Sequence, residues 1–293
     1  MRNWGDDMAG VSYTIRPMNR TELGVAIDWA AAEGWNPGLG DRDCFFDADP
    51  SGFLMGFLGE KPIASISAVK YGNSFGFVGF YIVAPEHRGQ GYGIQIWNAA
   101  MRSLEGRTVG LDGVVAQQDN YRKSGFALAY NNIRHETQGT GTPGHGRVQA
   151  EIAPLETFPV EEVIAYDAAL FPAERGQFIR SWISHPQATA LGFGSRGRLK
   201  GYGVVRRCRQ GYKIGPLAAD SAEVAEALFA ALRAETPAGE PLYLDTPEVN
   251  EGAIQLADRY RMTKVFETAR MYRGAAPQVA MDRIYGVTTF ELG

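Results

Sequence analysis

Phe80-Tyr81-Ile82-Val83-Ala84-Pro85-Glu86-His87-Arg88-Gly89-Gln90-Gly91-Tyr92-Gly93-Ile94 runs from an apolar strand through a short polar turn into a glycine-rich loop that opens an amphipathic helix. Glycines at alternate positions let backbone N–H groups approach an anion without interference from Cβ. The helix start adds unsatisfied donors and a favourable dipole. Strand, loop and helix in this order form a cradle for a diphosphate. The spacing Gly-x-Gly-x-Gly differs from the Gly-x-Gly-x-x-Gly of dinucleotide folds, and it follows an antiparallel meander instead of opening a βαβ unit. No Lys-Ser or Lys-Thr follows, which sets it apart from nucleoside-triphosphate loops. A glycine-rich turn without a ligand is the alternative, and it leaves the extended Val-x-Pro-Glu-x-Arg-Gly context unexplained.

Outward from this loop, the chain gives nearly the same order of elements twice. A strand at Tyr13 to Met18 has a counterpart at Glu151 to Leu155, and helical stretches follow each. Asn19 and Glu22 have capping-box spacing, and Phe178, Ile179, Trp182 and Ile183 share one helical face. Three strands then alternate with tight turns. The first copy reads Gly52 to Leu58, Ile63 to Tyr71 and Phe75 to Val83; the second reads Ala188 to Ser195, Leu199 to Cys208 and Tyr212 to Leu217. Turns at Gly59-Glu60-Lys61-Pro62, Gly72-Asn73, Arg196-Gly197 and Gln210-Gly211 supply the positive φ that such connections need. Each meander feeds a helix (Ile94, Trp97, Met101, Leu104; Val224, Leu228, Ala231), then a strand at Thr108 to Asp112 or Pro241 to Asp245, then a helix and closing strands. Duplication explains the matched order better than chance, and the boundary falls near Arg147 to Glu156. Val148 to Leu155 could close the first copy, open the second, or do both.

With 293 residues, 45% hydrophobic and 21% charged, the chain suits two soluble α/β domains. A net charge of −4 gives no nucleic-acid surface. The cluster Arg206, Arg207 and Arg209 reads as a solvated strand edge. Cys44 and Cys208 lack partners at metal-ligand spacing, so neither a metal nor a disulfide framework is expected, and a reducing compartment follows. Met1 to Val11 carries Asp6 and Asp7 where a signal peptide is apolar, and no segment is long enough to cross a bilayer. A cytoplasmic protein without a membrane partner is expected.

The loop and a second motif resemble the GCN5-related N-acetyltransferase (GNAT) family. Arg88, Gly91 and Gly93 meet the family signature at the start of its third helix, and Tyr121-Arg122-Lys123-Ser124-Gly125-Phe126 matches the end of its fourth. The resemblance covers Tyr13 to about Glu136. It implies an α/β (α+β) fold of two tandem GNAT-like domains, each a mixed, mostly antiparallel sheet flanked by helices. Residues 1–147 would form an acetyl-CoA-binding N-acetyltransferase domain. Residues 148–293 would form a degenerate, YitH-type copy, because Ala218-Ala219-Asp220-Ser221-Ala222-Glu223 stands where the glycine loop should be and its carboxylates repel a diphosphate. Roles open to that copy are walling the cleft, setting specificity or forming a homodimer.

By the same resemblance, acetyl-CoA is the co-substrate and a small-molecule amine, a primary one, the acceptor. Tyr81, Ile82 and Val83 would hold the pantetheine arm, and Arg88, Gly89, Gln90, Gly91, Tyr92, Gly93 and Ile94 the pyrophosphate. One departure stands out: the family often has Asn seven residues before the motif Tyr, and this chain has Val114. Tyr121 would protonate the departing thiolate, unless it is a half-buried aromatic. Asp112, at a strand end, is the first candidate base, with a plain turn residue as the alternative. Glu33 and Asp41, with Asp43, flank Trp35-Asn36-Pro37-Gly38-Leu39-Gly40, where the family binds its acceptor; Glu33, Trp35, Asn36 and Asp41 suit a cationic amine. A solvated loop around one buried Trp fits that segment equally well. His87 reads as an exposed turn residue. The competing class is a CoA-responsive module without turnover.

Overall fold

Asn19 begins the first helix as the spacing requires: its Oδ1 accepts from the Glu22 N–H at 2.9 Å and Glu22 accepts from the Asn19 N–H at 2.9 Å. The computed structural model describes residues 12–141, 151–195 and 198–293. The expected Arg196-Gly197 turn, the opening Met1 to Val11 and the junction at 147/148 lie outside these. The first half runs β1 (Tyr13–Pro17), α1 (Arg20–Ala32), α2 (Asp41–Ala48), β2 (Phe53–Leu58), β3 (Lys61–Tyr71), β4 (Phe75–Val83), α3 (Tyr92–Ser103), β5 (Thr108–Val114), α4 (Gln118–Lys123) and β6 (Ala127–Gln138). The second repeats it as β7 (Ile152–Pro154), α5 (Val160–Ala168), α6 (Gly176–Ile183), β8 (Ala188–Ser195), β9 (Arg198–Arg207), β10 (Tyr212–Ala219), α7 (Ala222–Ala234), β11 (Pro241–Pro247), α8 (Glu251–Arg259) and β12 (Thr263–Arg273), with β13 (Ile284–Gly286) added. β7 pairs with β8, so this segment opens the second copy.

The two copies share one sheet, ordered β1-β2-β3-β4-β5-β12-β6-β11-β10-β9-β8-β7. Their closing strands are exchanged. β12 of the second half pairs antiparallel with β5 of the first, and β6 of the first pairs with β11 of the second. Two buried ion pairs mark the exchange at opposed positions. Arg270 on β12 faces Asp112 on β5, and Arg134 on β6 faces Asp245 on β11. Each guanidinium donates both bonds to its carboxylate at 2.7 Å. The Leu111-Asp112 and Leu244-Asp245 dipeptides are therefore the same device used twice.

One face of the sheet carries a core built from both halves. Phe45 of α2 stacks on Trp182 of α6 at 6.0 Å, and Phe178 and Ile179 join them. On the other face, α3 buries Ile96, Trp97 and Ala100 over the first half, while α7 buries Val224, Leu228 and Leu232 over the second. Arg206 departs from the sequence reading. β9 lies between β8 and β10, so Arg206 is buried beneath Trp182, 4.5 Å from its ring, with Nε donating to Asp41 at 2.9 Å. Interior strands point alternate residues into a core regardless of charge, and the Asp41 carboxylate across the interface compensates this one.

Candidate active site

β4 and β5 run parallel from Phe75 opposite Thr108 to Val78 opposite Leu111, and there their pairing ends. Past this point β4 bends. Phe80 adopts φ 48°, the Ser65 hydroxyl donates to its carbonyl at 2.8 Å, and the register against β3 shifts. A positive φ at a bulky residue costs about 1–3 kcal/mol, and such strain concentrates at functional sites. The bulge turns Gly79 to Val83 away from β5 and opens a cleft. The resulting cavity holds about 950 Å³, toward the upper end of ordinary ligand sites.

One end of the cavity is the glycine loop. Gly89 and Gly91 take φ of 73° and 83°, and open space lies where each Cβ would be. Gly91 caps α3 and brings no side-chain bond to the first-turn N–H groups. Gly93 is required for a different reason: a Cβ there would press on the Tyr81 hydroxyl and Val83. The residues fit a diphosphate. Arg88 bends back, donating from Nε to the Val83 carbonyl at 2.9 Å, and ion-pairs with Glu33. Arg88, Gly89, Gly91, Gly93 and Ile94 line the cavity; the Tyr92 ring packs tilted against Tyr13, and Gln90 donates back to the Glu86 carbonyl. His87 is mostly buried and lines the cavity beside Tyr92, unlike the exposed residue expected.

Tyr81, Ile82 and Val83 line the floor, and Tyr121 faces them from α4. Its ring packs on Trp97 at 5.7 Å and passes so close to Gly113 that a Cβ there would collide with it. Burial, with Tyr81 adding, pushes the Tyr121 phenol up to about 12. It therefore keeps its proton through the neutral range. Val114 lines the cavity where the family has Asn, and Gln117 and Asn120 bring amide groups beside it.

The remaining expected residues separate. Glu33 and Trp35 line the cavity. Asn36 instead exchanges two 2.9 Å bonds with the Gln210 backbone, and Asp41 is buried between Arg206 and the Gly38 N–H. Asp112 lines the cavity with both oxygens held by Arg270, and Asn132 donates to one of them at 2.8 Å. Among the described residues, no cluster of His, Cys, Asp and Glu is arranged for a metal, and no helix is long and apolar enough to cross a membrane.

Four lining residues come from the second half: Phe266, Thr268, Phe290 and Glu291. Sequence reasoning missed all four, because no local motif marks them. The segment carrying Phe290 and Glu291 first closes the second half's own cleft. There β10 and β11 pair only from Tyr212 opposite Leu242 to Ile214 opposite Leu244. β13 fills the divergence by pairing with β10, and the Val287 N–H donates to the Asp245 carbonyl at 2.9 Å. The start of α7 is closed as well: Ser221 caps it, and Asp220 bonds Arg283 and Tyr166. Beyond Val287 the chain crosses into the first half, where the Tyr71 hydroxyl donates to the Leu292 carbonyl at 3.0 Å.

Comparison with known proteins agrees with this geometry. Residues 22–126 match the model of the acetyltransferase (GNAT) family, and residues 163–286 match that of a GNAT acetyltransferase domain. The chain is 33% identical over 286 residues to holothin acyltransferase of Pseudoalteromonas sp. (strain SANK 73390), covering 96% of this chain and 95% of that protein. It is 25% identical over 171 residues to the uncharacterized N-acetyltransferase YitH of Bacillus subtilis, covering 58% of this chain and 60% of that one. A solved structure from Pyrococcus horikoshii, described as a candidate acetyltransferase, superposes with a TM-score of 0.81 at 21% identity, covering 100% of this chain and 99% of that one. With its glycine cradle, its splayed strands and the same fold built twice, this chain belongs to the GNAT acetyltransferase family, as a tandem member.

Proposed function

We propose that the first half transfers the acetyl group of acetyl-CoA directly to a small primary amine, with both substrates held in one ternary complex. The observation that carries this reading is a single cavity in which the glycine cradle, the unpaired stretch of β4 and the Tyr121 phenol meet. In it the α3 start and Gly89 to Gly93 bind the pyrophosphate, and β4 from Tyr81 to Val83 orients the pantetheine arm. Gln117 and Asn120 take the place of the missing Asn at position 114. Tyr121 supplies the proton to the leaving sulfur. Its phenol is a weaker acid than a thiol, so the proton moves as the C–S bond breaks and not before. Asp112 has a different role in this reading. Its equivalent, Asp245, makes the same pair in the half whose cleft is filled, so Asp112 serves the exchanged sheet and positions Arg270.

The second half, from about residue 148, shapes the acceptor end and binds no CoA. The relative that acts on holothin supports acyl transfer, and acyl transfer alone is carried over from it. A non-catalytic CoA-binding module is the rival, and it has no use for a buried phenol at the cleft. The test is thiol release from acetyl-CoA across a panel of primary amines. Tyr121→Phe keeps the ring and its contact with Trp97, so CoA affinity should hold while kcat falls by roughly 10²- to 10⁴-fold. Wild-type kcat in that variant on a turned-over amine removes Tyr121 from the mechanism.

A further inference from the structure

We propose that Glu291, delivered by the segment after β13, is the base that takes the proton from the acceptor amine. This rests on the acetyl-transfer reading above.

Glu291 is 4% exposed and lines the cavity. Its backbone lies directly against Gly79, just before the β4 bulge, where a Cβ would collide with the Glu291 carbonyl. Glycine at position 79 therefore admits this segment to the point where the strands part. Phe290 and Phe266, 6.3 Å apart, stand beside it as an apolar wall. A buried carboxylate normally has a partner, and each one without needs a reason. Among the described residues, Glu291 has no ion pair and no side-chain hydrogen bond. The other lining carboxylates are committed, Asp112 to Arg270 and Glu33 to Arg88.

Charged groups face Glu291 from four elements: Lys213 on β10, Arg206 on β9, Arg134 on β6 and Asp41 on α2. Arg134 and Arg206 are bound to Asp245 and Asp41, and Lys213 donates to the Asn36 carbonyl at 3.0 Å. These cations favour the carboxylate without bonding it, and burial opposes them. Burial, with Asp41 adding, wins, and the Glu291 carboxyl is raised from its ordinary value. A carboxylate raised in this way accepts a proton better than an exposed one.

The step balances. The amine nitrogen bonds to the thioester carbonyl carbon, the C–S bond breaks, the N–H proton passes to Glu291, and the sulfur takes the Tyr121 proton. Solvent then removes the proton from Glu291 and restores that of Tyr121, leaving an amide and free CoA thiol.

Kinetics of Glu291→Gln and Glu291→Asp on an amine that the wild type acetylates test the assignment, with CoA titration and thermal melts alongside. Glu291→Gln should lose roughly 10²- to 10⁴-fold in kcat with CoA binding retained. The deficit should shrink as pH rises and the amine loses its own proton to solvent, a change that damaged packing would not reverse. Glu291→Asp should fall between. For the wild type with a weakly basic amine that stays neutral across the range, kcat/KM should drop on the acid side as Glu291 takes up a proton, and this limb carries the test if neither variant folds. Equal kcat in Glu291→Gln, a deficit independent of pH, or a wild-type profile flat from about pH 9 to about pH 5 overturns the assignment while acetyl transfer stands. A wild type that releases no thiol with any amine fails the acetyl-transfer reading, and the assignment falls with it.

Discussion

Replacing Arg270 with methionine removes one member of a buried pair and leaves the other in place. The Asp112 side chain is fully buried and that of Arg270 is 7% exposed. Asp112 keeps one hydrogen bond, from Asn132, and loses two charge-assisted ones. Breaking a buried pair in this way costs about 3–5 kcal/mol, since an uncompensated charge stays in a dry site. At about 2–4 °C per kcal/mol for a chain of this order, the melting temperature should fall by about 6–20 °C. The loss has a definite pH dependence. Burial already raises Asp112, and the Arg270 charge is the main opposing influence. Without Arg270, the folded-state pKa lies well above the unfolded one. Stability is then fullest below the unfolded value and is lost as pH rises through the folded one. The deficit should therefore be largest at neutral pH and shrink toward acid. The double variant Asp112→Leu, Arg270→Met removes both charges and should recover most of the loss. Thermal and urea unfolding of wild type, both single variants and the double variant at pH 5 and pH 7.5 give the full cycle. A loss below about 1 kcal/mol, or a double variant no better than Arg270→Met, refutes the claim that this pair ties the exchanged strands.

Three further outcomes follow from the same geometry. Calorimetry should find one CoA per chain, because β13 fills the second cleft, and Gly91→Glu should abolish binding by putting a carboxylate in the proposed phosphate site; two equivalent sites, or retained affinity, would refute these in turn. A fragment covering residues 12–141 lacks β12, the strand that pairs with both β5 and β6, and should show no cooperative melt; a well-folded fragment binding CoA like the full chain would show the exchange to be dispensable.

The local elements and the cradle were legible in the residues themselves. A helix start announces itself through Asn19 and Glu22, a meander through its turn glycines, and the glycine-rich loop before α3 through Gly89, Gly91 and Gly93, because each depends on backbone conformation within a few positions. The repeated order of elements, and with it the tandem fold, was readable for the same reason. Register between distant strands has no such signature. Nothing within β6 or β12 says that each lies beside the other half's fifth strand, so the sequence shows Asp112 as a strand-end acid and only the exchanged register sets Arg270 opposite it. Arg206 looked solvated because its neighbours in sequence are charged, while its burial follows from the position of β9 between two other strands. Glu291 is the furthest case. It stands 170 residues beyond Tyr121 in sequence, and only the path of the chain through the second cleft and across Gly79 brings the two to one cavity.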